Sequence, residues 1–571
     1  MRKNKLKEFN GRRYLLQFAV VAVFSLLFMR ALQLQLLHAD FYEEEGSNIH
    51  VRTVEIPANR GVIKDRFGEA LAISTPVYSI WAHPKTALSH PQSIKDAASV
   101  LAINENKLIK KLNDRKNKQF IYIKRHVFPD IAEKLKEKKT TGISLIREFR
   151  RYYPAGEMSS HIVGLTNIDD QGLEGIELAF DDWLHGVPGK KRILKDGKGT
   201  VVADIELIQE PRKGKDLELS IDKRIQYLTY RELKRTIDLH NAKAGSVVVL
   251  SVETGEVLAM ANLPSFNPND RRNTKVSSIR NRAITDVFEP GSTVKPFLIA
   301  AAIENGTYKM SSRINTSPGY FTVGGLRVND IKNYGTIDMQ TILAKSSNVG
   351  AVRVALKMSE EDVWSQYQSV GFGQLTGSGF PGERAGKLES YTNWNTTQRA
   401  TIAYGYGMST TALQLARAYS VIANDGVLLP MSFVVNDQAV SGYRVMSGRT
   451  AKSVREMLQK VVSAQGTGNR ASMQGYTAAG KTGTSRKSQN GSYSQDNYIA
   501  LFAGMAPAAS PKIVVVALID QPVKEEGYYG GEVAAPLFAR IAEGSLRLMN
   551  VPPNIIDSKK RGLLLTGLKE Q

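Results

Sequence analysis

The chain has no cysteine among its 571 residues. That excludes disulfide staples, thiolate zinc sites, iron–sulfur clusters and a cysteine nucleophile. Histidine is scarce: His38, His50, His83, His90, His126, His161, His185 and His240. None lies beyond 240, so the C-terminal half cannot build a Ser-His-Asp triad from its own residues. No two share the i,i+4 spacing of a zinc helix and HExxH is absent, so no metal site is expected. No GxGxxG follows a strand-like run, and no cofactor is expected. Acids are outnumbered: 55 Asp+Glu against 76 Lys+Arg leave a net charge of +21. A basic excess of that size suggests an anionic partner, whether nucleic acid, membrane phosphate or another polyanion. Long apolar runs are missing except at the N-terminus.

There, residues 1–13 carry six basic side chains (Arg2, Lys3, Lys5, Lys7, Arg12, Arg13) against one acid, Glu8. Tyr14 to Met29 follows without a charge, and beyond Arg30 the chain stays apolar, with glutamines, to Leu37. A helix crossing ~30 Å of hydrocarbon needs about 20 residues, which 14–37 supplies if Arg30 snorkels to the interface. The pattern predicts an uncleaved signal anchor. A cleavable signal peptide needs a small-x-small site, and ARALQLQLLHAD offers only a poor one. A buried soluble helix would not carry this basic flank. The positive-inside bias puts residues 1–13 in the cytoplasm and the chain beyond the span outside it. No second run reaches spanning length, so the expectation is a single-pass protein. Nucleic acid then drops out as the partner of the +16 that remains without the tail's +5.

Residues 38–221 read as a β-rich domain with helical inserts. VRTVEI and VYSIWA are strand-like between Gly and Asn turns. Residues 93–139 are helical and charged, with a break near KNKQFIYIKRHV. GLTNIDDQGLEG is a turn-rich lead into a helix, IELAFDDWLHG, and GKKRILKDGKG predicts a solvated hairpin. Near Leu217 the character changes. SIDKRIQYLTYRELKRTIDLHNA opens at an N-cap, Ser220 or Asp222, and keeps helical apolar spacing. AGSVVVLSVETGEVLAMAN sets two apolar runs around a Thr-Gly turn, a hairpin signal. Helical stretches follow, then strand-like YIALFAGMAPA and KIVVVALID, then a helix, APLFARIAEGSLRLM. Strands at both ends with helices between predict one α+β domain over 222–550, its sheet assembled from both termini. Residues 551–571 read as a polar tail.

A serine enzyme without histidine needs another base, and lysine is the obvious one. Ser292-Thr293-Val294-Lys295 follows a Pro290-Gly291 turn. On a helix, i and i+3 share a face, so Lys295 can reach the Ser292 hydroxyl. A helix N-terminus favours an oxyanion and helps lower the pKa of a nearby lysine, and only a neutral lysine is a base. The motif alone is weak, since composition gives about two such matches in a chain this long. The second, Ser220-Ile221-Asp222-Lys223, reads as a strand end and cap. Company strengthens the first. Ser346-Ser347-Asn348 lies 54 residues after Ser292, and Lys481-Thr482-Gly483-Thr484 begins 133 after Asn348. Each alone reads more plainly as an N-cap serine, a loop asparagine or an exposed lysine. All three in order, in a domain lacking histidine, predict one acyl-transfer site.

In that site Ser292 Oγ attacks a carbonyl and Lys295 takes its proton. The backbone N–H groups of Ser292 and Thr484 form the oxyanion hole. Lys481 keeps Lys295 neutral and attracts a carboxylate, which the Thr482 and Thr484 hydroxyls bind. Ser346 relays a proton to the leaving amine, and Asn348 holds an amide of the acyl donor. Small residues around Gly483 let a substrate lie as an added strand.

This motif set, with Ser-Ser-Asn in place of Ser-Asp-Asn, resembles that of the penicillin-binding proteins. The chain is similar to their class B branch, and most closely to the division-specific peptidoglycan D,D-transpeptidases. The resemblance covers 14–550 and rests also on RGVIKDRFG (60–68), RRYYPAGE (150–157), GLTNIDDQGLEGIE (164–177), FEPGSTVKP (288–296), KSSNVG (345–350), GYGMSTTALQLARAY (405–419) and YYGGEVAAPLF (528–538). It implies one helix in the bacterial inner membrane, an elongated pedestal domain, and a transpeptidase domain with an antiparallel sheet between helical clusters. It implies that a stem peptide ending in D-Ala-D-Ala acylates Ser292 and releases D-Ala. A side-chain amine of a neighbouring stem then takes the acyl group, and β-lactams acylate the same serine. It also implies work at the septum with the FtsW glycosyltransferase and other divisome proteins. Arg60, Gly61, Arg66, Arg151 and Glu177 match pedestal motifs, with fold-holding turns and ion pairs as the plainer reading. Tyr528, Tyr529 and Gly530 match a segment lining the cleft, against simple sheet-edge packing. The polar loop Ser485–Asn497 is the part least determined by any motif.

Other readings compete. A β-lactamase needs a deacylating base for water, for which no motif is present, and leaves the anchor and pedestal without work. An anchored sensor or scaffold has no room for an output domain in a 13-residue tail. An elongation-specific transpeptidase is the alternative within the family.

Overall fold

The computed structural model describes residues 3–37, 40, 51–195, 201–436, 438–489 and 492–555. The start of the predicted basic tail, residues 38–39 and 41–50 of the pedestal, the turn of the GKKRILKDGKG hairpin and the polar tail after 555 lie outside the described residues. Helix α1 (Lys3–Leu32) runs on as a π turn, Gln33–Leu37. Gly11–Leu36 is long and apolar enough to cross a membrane. Phe18, Phe24 and Phe28 on it are exposed, as lipid-facing side chains are.

The chain separates into two compact units. The first takes in residues up to Asn59, Pro76–Arg150 and Gly186–Lys213. Its three-stranded antiparallel sheet has Gly189–Lys195 between Val51–Ile56 and Val201–Gln209, so the lysine-rich hairpin forms as predicted. Helices Pro91–Val100, Glu105–Asn113 and Pro129–Glu137 turn Ile94, Leu108, Leu112 and Leu135 into one small core. The expected break near KNKQFIYIKRHV is a strand, Ile121–Val127.

The second unit takes in Arg60–Thr75, Arg151–His185 and the chain from Gly214. Its main sheet is antiparallel: β1 (Ala244–Ser251), β2 (Val257–Leu263), β3 (Ala479–Gln489), β4 (Ser492–Ala506) and β5 (Ile513–Asp520), in the order β2-β1-β5-β4-β3. The two ends of the domain meet where β1 pairs with β5. Their sequences have no polar face because both faces are buried. Val247 and Val249 enter the core beneath α2 (Lys223–Leu239) and α8 (Gly530–Leu548). Val248 and Leu250 enter the larger core on the opposite face. That core holds α3 (Lys295–Glu304), α4 (Met339–Lys345), α5 (Asn348–Lys357), α6 (Ala412–Ala423) and α7 (Gly448–Val461). Asp222 caps α2, accepting from the Arg224 and Ile225 N–H groups. Ser220 instead donates to Val257 O, so the second Ser-x-x-Lys match is structural.

Arg60, Arg151 and Glu177 form a buried ion cluster inside this unit. Glu177 accepts Arg60 Nε at 2.7 Å and Arg151 Nε at 2.6 Å, and Arg60 Nη1 reaches Asp181 at 2.7 Å. Arg151 Nη1 also donates to Gly61 O at 2.7 Å. Two short helices, Gly175–Ala179 and Asp181–Leu184, carry the acids, with the predicted single helix broken at Phe180. The plainer reading of these motif residues holds: they tie distant segments together. Glu177→Gln takes the carboxylate from buried Arg151 and leaves Arg60 with Asp181 alone, so it should cost about 3–5 kcal/mol of unfolding free energy. Urea denaturation followed by near-UV circular dichroism measures it.

Candidate active site

The chain enters a single 3-10 turn, Gly291–Val294, that passes directly into α3 at Lys295. Gly291 has φ +55°, and its N–H donates to Gly405 O at 3.1 Å. Gly405, at φ +85°, packs so tightly on the Gly291 carbonyl that no side chain fits there. Ser292 is half-buried, and its Oγ makes no hydrogen bond among the described residues. Lys295 is fully buried.

Between α4 and α5 the chain reverses through Ser346, held at φ +57° in the left-handed region that non-glycine residues seldom adopt. That turn delivers the second motif to the first. Lys295 Nζ donates to Ser346 O and to Asn348 Oδ1, each at 2.7 Å, with Ser346 Oγ at 3.4 Å. Lys481, fully buried on β3, donates to the same Ser346 Oγ at 2.9 Å. The three motifs therefore converge on one hydroxyl.

Two amines so placed cannot easily both be charged. Burial, and then the charge of Lys481, holds Lys295 well below the usual lysine range, while Asp330 opposes the shift. Burial brings Lys481 down to about 7. A neutral amine has two N–H donors and one lone pair. The two 2.7 Å acceptors satisfy both donors of Lys295 and leave its lone pair for a proton. Asn348 keeps one Oδ1 lone pair and one N–H, its Nδ2 also donating to Asn329 O at 3.2 Å.

Among the described residues β3 is an edge strand, paired only with β4, so its outer edge is open to an added strand. A Cβ at Gly483 would lie 2.9 Å from Thr293 Cγ2 and 3.1 Å from Pro290 O. The third position of Lys-Thr-Gly must be bare for the strand to lie against the Ser292 turn. The hydroxyls of Thr482 and Thr467 share a hydrogen bond at 2.8 Å. Thr484 Oγ1 accepts the Gly530 N–H at 3.0 Å and keeps its own proton to donate. Tyr528 packs at a tilt against Tyr498, ring centroids 4.5 Å apart, and donates to the Tyr529 hydroxyl at 2.8 Å, while Tyr529 is 49% exposed. Tyr528 thus packs on the sheet and Tyr529 faces solvent. Gly475 to Thr482 also spells Gly-x-x-x-x-Gly-Lys-Thr, the pattern of a phosphate-binding loop. The fold overrules that reading, because Lys481 lies within a strand and not where a loop opens a helix.

Sequence reading misses Asp330. Its carboxylate accepts Ser347 Oγ and the Asn348 N–H, each at 2.6 Å, and the Val349 N–H at 3.1 Å. It thereby caps α5 and holds Ser-Ser-Asn against Lys295. In the sequence Asp330 is one acid after a small hairpin, with nothing to tie it to a motif 16 residues later. The stretch Ser485–Asn497 is also no plain loop: Ser485–Gln489 prolongs β3 and Ser492–Asn497 begins β4.

A serine at a helix start, two depressed amines sharing a hydroxyl, and an open sheet edge can deprotonate an alcohol beside a bound peptide without histidine. That is the equipment of an acyltransferase that works on peptides. Residues 245–543 match the penicillin binding protein transpeptidase domain, and residues 55–219 match the penicillin-binding protein dimerisation domain. The chain is 40% identical over 548 residues to the probable peptidoglycan D,D-transpeptidase PenA of Neisseria meningitidis, covering 95% of this chain and 94% of that one. It is 40% identical over 543 residues to the peptidoglycan D,D-transpeptidase FtsI of Escherichia coli, covering 94% and 92%. Among solved structures, penicillin-binding protein 3 of Mycobacterium tuberculosis, complexed with aztreonam, matches with a TM-score of 0.69 at 28% identity, over 88% of this chain and 98% of that one. The chain belongs to the class B penicillin-binding proteins and is a peptidoglycan D,D-transpeptidase.

Proposed function

We propose that this protein cross-links peptidoglycan stem peptides at the division septum through an acyl-enzyme on Ser292. The observation that carries the reading is the Ser346 hydroxyl, 2.9 Å from Lys481 and 3.4 Å from Lys295. Lys295 takes the Ser292 proton as Oγ bonds to the carbonyl carbon of the penultimate D-Ala. The N–H groups of Ser292 and Thr484 stabilise the oxyanion. The proton passes through Ser346 to the nitrogen of the departing D-Ala as its C–N bond breaks. Lys481, Thr482 and Thr484 hold the terminal carboxylate, and Asn348 holds a donor amide with the groups it has left. Gly483 keeps the strand edge low, and Tyr528, Tyr529 and Gly530 line the same end. An amine of a second stem then takes the acyl group and restores Ser292. A β-lactam enters the first step in place of the donor. Mass spectrometry after penicillin treatment tests this. The adduct is expected on the peptide containing Ser292. An adduct elsewhere overturns the assignment, and rapid turnover of the drug favours a β-lactamase.

Similarity to FtsI over nearly the full length supports the division branch, with FtsW and other divisome proteins as partners through α1 and the pedestal. The basic flank supports a cytoplasmic N-terminus with the bulk of the chain periplasmic. A fluorescent fusion should collect at midcell; sidewall labelling would favour the elongation-specific alternative.

Asp330 acts here as a positioning residue. Asp330→Asn loosens the Asn348 turn and removes a charge that favours protonated Lys295. The pH-independent acylation rate should fall roughly tenfold to a hundredfold, as misplacement near an angstrom does. With the opposing charge gone, the Lys295 pKa drops further, so the acid limb of the acylation profile should move to lower pH. An unmoved limb would remove Asp330 from the electrostatics of the site.

A further inference from the structure

We propose that Glu289 takes the first proton from the incoming acceptor amine, a claim that rests on the acyl-enzyme reading above. Glu289 lies three residues before Ser292. Its Oε1 accepts the Gly407 N–H at 2.9 Å and the Tyr493 hydroxyl at 3.1 Å. Its Oε2 is buried and has no hydrogen-bond partner among the described residues. An unpaired carboxylate oxygen withdrawn from water is costly to maintain, and an incoming amine meets this carboxylate at Oε1, beside the half-exposed Tyr493. Burial also raises its pKa, against the pull of the two hydrogen bonds, which makes it a readier base than a surface glutamate.

The surroundings suit an alkylammonium. Tyr404 and Tyr406 rings lie 5.5 Å apart, and Tyr406 and Tyr493 rings 5.6 Å apart. Tyr404 and Tyr406 flank Gly405, which is clamped on Gly291, so this aromatic wall is fastened to the residue before Ser292. Carboxylate and ring faces together attract a cation. Tyr493 is 48% exposed, and its hydroxyl sits where an ammonium N–H would sit, donating to Oε1.

The reaction has a proton to place there. An acceptor amine with an ordinary pKa near ~10.4 arrives as an ammonium, and it must lose two protons to become an amide. Glu289 takes the first. The freed lone pair bonds to the ester carbonyl carbon. The second proton returns through Lys295 to Ser292 Oγ as the ester C–O bond breaks.

The test partitions the acyl-enzyme of the full-length protein, formed from a thioester analogue of the D-Ala-D-Ala terminus, between two nucleophiles. D-Alanine is an ammonium at neutral pH; hydroxylamine is already neutral. In Glu289→Gln, aminolysis by D-alanine should fall about a hundredfold, the scale of a lost general base, while hydroxylamine reacts within about threefold of wild type. Equal losses with both nucleophiles, or no loss with either, overturn the proposal. Where Glu289→Gln takes no donor at all, Glu289→Asp is read instead. It keeps the charge but withdraws it by one methylene, so a lowered D-alanine to hydroxylamine ratio supports the role and an unchanged ratio overturns it. The wild-type penicillin adduct on Ser292 is a separate control: its absence sinks the acyl-enzyme reading and not the assignment of Glu289.

Discussion

Replacing Ser292 with alanine should give a folded protein that takes up no penicillin and forms no cross-link. The expected loss of transpeptidation is on the order of 10⁴–10⁶-fold, the scale seen when a serine acyl-enzyme loses its nucleophile. Stability should hardly change. Ser292 is half-buried and its hydroxyl has no hydrogen-bond partner among the described residues, so removing one oxygen should break no hydrogen bond and leave no cavity of consequence. That combination separates catalysis from scaffolding. A variant still supporting cross-linking, measured by the dimeric stem-peptide content of digested wall, would assign the chemistry to another residue or another protein.

Lys295→Met should be nearly as damaging to acylation, with a fall of about 10²–10⁴-fold, the usual contribution of a general base. Methionine fills the space of the buried lysine stem but has no lone pair of comparable basicity. It also deserts two acceptors, Ser346 O and Asn348 Oδ1, at about 1–3 kcal/mol each. Lys295→Arg distinguishes base from charge. Arginine supplies a permanent cation and donors but does not deprotonate in a protein. Both variants should fail in stopped-flow acylation by a chromogenic cephalosporin. Activity retained in Lys295→Arg would mean that positive charge, not proton transfer, is what the position supplies.

Much of this was legible in the linear chain for identifiable reasons. The apolar span announces itself because nothing but lipid or a core tolerates so many uncharged residues in a row. KIVVVALID and SVVVLS lack a polar face because both faces of β5 and β1 are covered. Asp222 and the Thr-Gly turn are local signals, complete within a few residues. Signals fail where partners are distant or polar. IELAFDDWLHG has helical composition, yet it breaks at Phe180 to aim Glu177 and Asp181 at Arg60. Ser485–Gln489 and Ser492–Asn497 form strands although they lack apolar alternation, as extensions of β3 and β4 that stay paired across a register shift between Arg486 and Ser488.

Taken alone, the sequence determined the apolar N-terminal helix, the order of the three motifs, and the lack of cysteine and of any histidine beyond 240, since residue type and spacing need no third dimension. Only the tertiary structure decided which atoms meet: Ser346 Oγ with both lysines, Asp330 with the Asn348 turn, Glu289 with Tyr493. Those partners lie 17 to 204 residues apart. They come together only because a sheet closed from both ends of the domain leaves them no other low-energy place to be.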